Sequence, residues 1–72
     1  MIKVKNLAVV PTAKEVQMLQ LLSDGKTHEQ IAEDMFLAKR TIDGYVAIMF
    51  KKFSVKNACE LVTIALRNDW IN

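Results

Sequence analysis

The run Lys39-Arg40-Thr41-Ile42-Asp43-Gly44-Tyr45-Val46-Ala47-Ile48-Met49-Phe50-Lys51-Lys52-Phe53 decides how this chain is read. Ile42, Val46, Met49, Phe50 and Phe53 recur at the 3.6-residue spacing of an α-helix, which predicts a helix over 39–53 with one anchored apolar face. The same spacing turns Arg40, Asp43, Gly44, Ala47 and Lys51 outward. Function is expected on that outward stripe.

The flanking sequence supplies three more helices. Thr27, with Gln30 three residues on, is a capping-box signature that opens a helix over 28–35, with Ile31, Ala32 and Met35 facing inward. Only Phe36-Leu37-Ala38 separates it from the helix over 39–53. Two helices joined by so short a turn have the layout of a helix-turn-helix, whose second helix lies in the major groove of duplex DNA. Upstream, Thr12 and Glu15 repeat the signature and predict a helix over 13–23, in which Val16, Leu19 and Leu22 are buried with Met18 and Leu21 beside them. Asp24-Gly25 ends it, the glycine suiting a left-handed position. Downstream, Ser54-Val55-Lys56 forms a connection, and Asn57 with Glu60 opens a last helix over 58–69. Leu61, Val62, Ile64, Ala65 and Leu66 make that helix apolar around more of its circumference than one core contact needs. Residues 1–11 read as a short extended arm. The expected fold is all-α, with four helices forming one domain over 12–72.

Composition agrees with a single folded unit. Of 72 residues, 51% are hydrophobic, enough for one core at this length. The net charge is +2, yet residues 39–56 hold five basic side chains against one acid, leaving +4 there and −2 elsewhere. A local basic surface on a near-neutral chain suits a polyanionic partner. The single cysteine, Cys59, has no partner for an internal disulfide and no metal-ligating neighbour at useful spacing, which points to a reducing, cytoplasmic location. No apolar run approaches the roughly 20 residues that span a bilayer. His28 reads as an isolated surface residue, and no nucleophile, acid–base or metal constellation is present, so neither catalysis nor a cofactor is expected.

With these segments in place, the chain from Thr12 to Ile71 resembles the LuxR-type DNA-binding domain, a four-helix module of bacterial response regulators and quorum-sensing regulators. The resemblance is carried by Thr12-Ala13-Lys14-Glu15, Leu21-Leu22-Ser23-Asp24-Gly25, Gln30-Ile31-Ala32-Glu33 and Arg40-Thr41-Ile42. It continues through Phe50-Lys51-Lys52-Phe53-Ser54-Val55-Lys56-Asn57 and Glu60-Leu61-Val62, in register and without gaps. It implies a bacterial transcription regulator that binds double-stranded DNA. Asp43, Gly44 and Ala47 fall at the positions that commonly face the bases. Thr27, Lys39, Arg40 and Thr41, at helix starts, and Lys51 and Lys52, some turns further on, are the candidates for DNA phosphates.

The chain also departs from the family pattern. An acid, a residue without a side chain and a methyl group occupy the reading positions, where lysine or another long side chain is frequent. Asp43 can accept from cytosine N4 and Ala47 can touch a thymine methyl, but neither makes the bidentate contact to guanine. Ala38 replaces the usual hydroxyl cap of the third helix, Gln17 a glutamate, and Ser54 a glycine. Cys59, Val62, Thr63 and Leu66 form a stripe at spacings of three and four on the last helix, the expected contact of a weak homodimer strengthened on DNA. The alternative is a degenerate helix-turn-helix serving as a protein-interaction module, with a regulatory protein as partner. No signal-receiving segment is recognisable, so the chain is either a domain of a longer regulator or free-standing.

Overall fold

A computed structural model describes residues 10–72, and among them there are four helices and no strand. The N-terminal arm expected over 1–11 lies outside the described residues apart from Val10 and Pro11. Helix α1 spans Ala13–Ser23, α2 His28–Met35, α3 Lys39–Lys52 and α4 Ala58–Arg67.

The helices begin where the sequence places their caps. Thr12 Oγ1 accepts from the Glu15 amide at 3.2 Å while Glu15 Oε1 accepts from the Thr12 amide at 2.9 Å, and Thr27 with Gln30 repeats the exchange at 3.1 and 2.9 Å. Asn57 Oδ1 accepts from the Glu60 amide at 2.9 Å. Each such cap stabilises its helix by about 1 kcal/mol. Helix α3 has none, because Ala38 offers no side-chain acceptor.

All four helices end alike. Gly25, Phe36, Ser54 and Asp69 have φ of 87°, 58°, 58° and 58°. The amide after each donates back to a carbonyl five residues earlier: Lys26 to Leu21, Leu37 to Ala32, Val55 to Phe50 and Trp70 to Ala65, at 2.9–3.1 Å. This is the Schellman closure, which satisfies two otherwise orphaned carbonyls and reverses the chain. It explains why α3 stops at Lys52 with Phe53 as its C-cap, and α4 at Arg67, rather than at 53 and 69. Phe53 belongs to the core through packing beyond the end of its helix.

Met18 and Leu19 from α1, Ile31 from α2, Ile42 and Met49 from α3 and Leu61 from α4 are fully buried, and Ala65 closes the centre. Val16 and Leu22 sit only half-buried at its edge, so α1 turns Met18 rather than those two to the middle. Trp70 covers Phe53, with ring centroids 5.0 Å apart. Helix α2 packs chiefly on α3, and α1 on α4. The outer side of α3 is left uncovered.

A serine in the left-handed region carries a Cβ penalty that glycine avoids. Ser54→Gly is expected to stabilise the domain by about 1 kcal/mol and raise its thermal midpoint by about 4–8 °C. A melt followed by circular dichroism checks this; an unchanged or lower midpoint would contradict it.

Candidate nucleic-acid interface

Helix α3 presents the candidate surface because Ile42, Val46 and Met49 hold its other side in the core. Arg40, Gly44, Ala47, Ile48 and Lys51 are exposed on the outward side. A Cβ built on Gly44 would meet nothing within 4 Å, so packing does not require the missing side chain. The start of the helix is open as well. The Ala38 carbonyl accepts from Thr41 and Ile42, and the amides of Lys39 and Arg40 have no acceptor among the described residues. Free amides there, at the positive end of the helix dipole, favour an anion.

The four candidate cations divide into two pairs. Arg40 and Lys51 make no ion pair among the described residues. Lys39 Nζ donates to Asp43 Oδ2 at 3.1 Å, and Lys52 Nζ donates to Glu15 Oε1 at 2.8 Å. The second contact joins the end of α3 to the start of α1, and it seats a carboxylate that is 7% exposed. Glu15 therefore closes the α1 cap and anchors α3 with the same oxygen. The sequence shows the first role only, since the two residues are 37 positions apart.

Asp43 is not a free acceptor either. Its Oδ1 lies 2.6 Å from His28 Nδ1, and its Oδ2 takes the lysine. These contacts, His28 first and Lys39 second, hold the Asp43 carboxyl below the usual carboxylate range. A depressed folded-state value means that whatever Asp43 contributes to stability is complete above the ordinary carboxylate range and is lost as pH falls through the folded value. His28 is thus tied to α3 rather than isolated: it links the first residue of α2 to the candidate reading helix. Thr27 is exposed, its oxygen engaged in the cap, its hydroxyl proton still able to donate. Thr41 is exposed in the first turn of α3.

On α4, Cys59, Thr63 and Leu66 are exposed and Val62 half-buried, so the apolar stripe stands at the surface. Thr63 Oγ1 donates to the Cys59 carbonyl at 2.8 Å, which folds the hydroxyl onto the helix. Shallow grooves lie on either side, one against Leu22 and Ala58, the other against Val55 and Arg67. No group of side chains among the described residues is arranged to hold a metal ion, and none of their helices is long and apolar enough to cross a membrane.

A family model described as bacterial regulatory proteins, luxR family, matches residues 10–65, all four helices but for the end of α4. The chain belongs to this family. Among relatives of this luxR-family domain, the transcriptional regulatory protein DesR of Bacillus subtilis is 30% identical over 59 residues, covering 82% of this chain and 30% of that protein. The response regulatory protein YgeK of Escherichia coli is 38% identical over 56 residues, 78% of this chain and 38% of its own length. The transcriptional regulatory protein DegU of Brevibacillus brevis is 27% identical over 60 residues, 83% of this chain and 25% of its own. The chain thus spans a quarter to two fifths of the length of these relatives. It is a helix-turn-helix domain of a transcription-regulator family.

Sequence reasoning misses Ile48, which stands 59% exposed beside the reading positions. The signal is present in the chain: an isoleucine one place off the buried register. Removing the ammonium that neutralises Glu15 leaves a nearly buried carboxylate with its cap contact alone, so Lys52→Met is expected to cost about 1–3 kcal/mol. Urea unfolding measures this; a cost below about 0.5 kcal/mol would make the contact an ordinary surface pair.

Proposed function

We propose that this domain binds duplex DNA, with α3 in the major groove, and so directs a bacterial transcription regulator to its sites. The observation that carries this reading is the outward face of α3: it is exposed, low in relief and bounded by Arg40 and Lys51, neither engaged in an ion pair among the described residues. Eleven residues at 1.5 Å each separate those two side chains by about 16 Å along the helix. The major groove is about 12 Å wide, so the two cations suit phosphates on its opposite walls. Lys39, Thr41 and Thr27 add contacts at the two helix starts. Lys52 serves Glu15 first and contributes mainly to the field.

The α4 stripe supports a second part of the proposal, a weak homodimer strengthened on DNA. Leu66 is 46% exposed and the Thr63 hydroxyl is tied back to its own helix, so small and apolar groups face solvent along about two turns. A two-fold axis through such a stripe buries the same patch on both copies. One observation favours the alternative, a protein-interaction module: Phe36, 93% exposed in the turn between α2 and α3. Absence of DNA binding at low salt, together with capture of a protein partner that Phe36→Ser abolishes, would establish that alternative in place of the DNA reading.

A gel shift titrated with salt on mixed genomic fragments tests the first part. Arg40→Ala and Lys51→Ala should each weaken binding to all sequences alike and lower the dependence of log affinity on log salt by about one unit. Unchanged slopes in both would remove the phosphate assignment.

For the dimer, Leu66→Asp places an unpaired charge in the stripe, at a site exposed enough to leave the fold intact. The expected result is a near-native melt with loss of cooperative binding to half-sites one helical turn apart. Cooperative binding retained by a folded variant would place the interface elsewhere.

A further inference from the structure

We propose that Ile48 is a specificity-determining residue that reads thymine methyl groups, so that the DNA selected by this chain carries thymine opposite the middle of α3. The inference rests on the DNA-binding reading above and names what that surface reads.

Isolated exposed isoleucines are ordinary on protein surfaces, and what distinguishes this one is its position. Ile48 follows Gly44 by four residues and is therefore about 40° from it around the helix, on the side away from Ile42 and Met49. Gly44 has no side chain and Ala47 only a methyl, which leaves the branched Ile48 side chain, 59% exposed, as the tallest apolar group on the face. The open space over Gly44 lets the helix backbone come close to a partner.

The polar side chains nearby have other obligations. Asp43 is held by His28 and Lys39, which engages the carboxylate oxygens that would otherwise accept from a cytosine amine. Arg40 and Lys51 lie at the two ends of the face, at phosphate reach. The middle of the face is apolar, with a cation at each end. In the major groove the one apolar feature of any base edge is the thymine 5-methyl group. A basic rim around an apolar centre therefore complements a groove with thymine opposite the middle of the helix, the donors that guanine needs being confined to Arg40 and Lys51 at the ends.

Removing the methyl tests this without altering any hydrogen-bonding edge. Duplexes enriched by the full chain from a randomised pool are prepared twice, once with thymine and once with deoxyuridine. Wild type is expected to bind the uridine form about threefold to fivefold more weakly per contacted methyl, the factor for burying one such group. Ile48→Asn, with a melt close to wild type because the site is exposed, should bind both forms alike and lose preference at those pairs. Equal binding of the two forms by wild type overturns the inference while leaving DNA binding intact. Discrimination retained in Ile48→Asn also overturns it, since another group then reads the methyl. If no duplex is enriched at any salt concentration, the underlying DNA reading fails and the inference fails with it.

Discussion

The structure depends on reversing the chain within a few residues. Four helices can surround one small core only if the connections are short, and here they occupy 24–27, 36–38 and 53–57. A connection of three residues cannot turn through ordinary right-handed or extended backbone alone. The left-handed residue at each helix end provides the reversal, and the backward hydrogen bond that follows it satisfies a carbonyl that would otherwise be stranded. Only one of the four is glycine. The other three accept a strained conformation of about 1–2 kcal/mol each, offset by the apolar residue that follows: Leu37, Val55 and Trp70 each pack against the core. The turn of the helix-turn-helix is the middle case, where Phe36 supplies the backbone geometry and Leu37 the packing.

Glu15 and Lys52 bring the second long-range constraint. The apolar face of α3 fixes rotation about the helix axis but leaves sliding along it less restricted. A charged contact at the C-terminal end, and His28 with Asp43 near the N-terminal end, fix α3 at two points of opposite chemistry from two different helices. Both contacts lie on the flanks of α3 and leave its outward side clear. The charges that orient the helix are thus separate from the charges available to a ligand.

Helix starts and the buried register of α3 are legible in the sequence because capping boxes and 3.6-residue spacing act over three or four residues, within reach of direct inspection. Helix ends are legible at Gly25, where composition shows the backbone conformation, and at Ser54 only through the glycine usual there in the family; Phe36 and Asp69 adopt the same conformation without advertising it. The candidate surface is legible as a stripe but not as a set of partners. Lys52 and Lys39 look like Arg40 and Lys51 in sequence, and only the fold brings Glu15 to Lys52 and turns Asp43 toward both Lys39 and His28. Asp43 reads as an acceptor for a base until its link to His28, across 15 positions and two helices, is seen. Ile48 escapes attention for the opposite reason, that apolar residues in an amphipathic helix are assumed to point inward.

The missing side-chain cap of α3 bears on the phosphate contact proposed at its N-terminus. Helices α1, α2 and α4 each give an amide of the first turn a side-chain acceptor, whereas Ala38 gives α3 none. An anion docked at that end would act as the missing cap. A serine at 38 would contribute about 1 kcal/mol that the present cap lacks. If a phosphate docks there as proposed, part of its binding energy is helix-capping energy, readable as slowed amide hydrogen exchange in the first turn of α3.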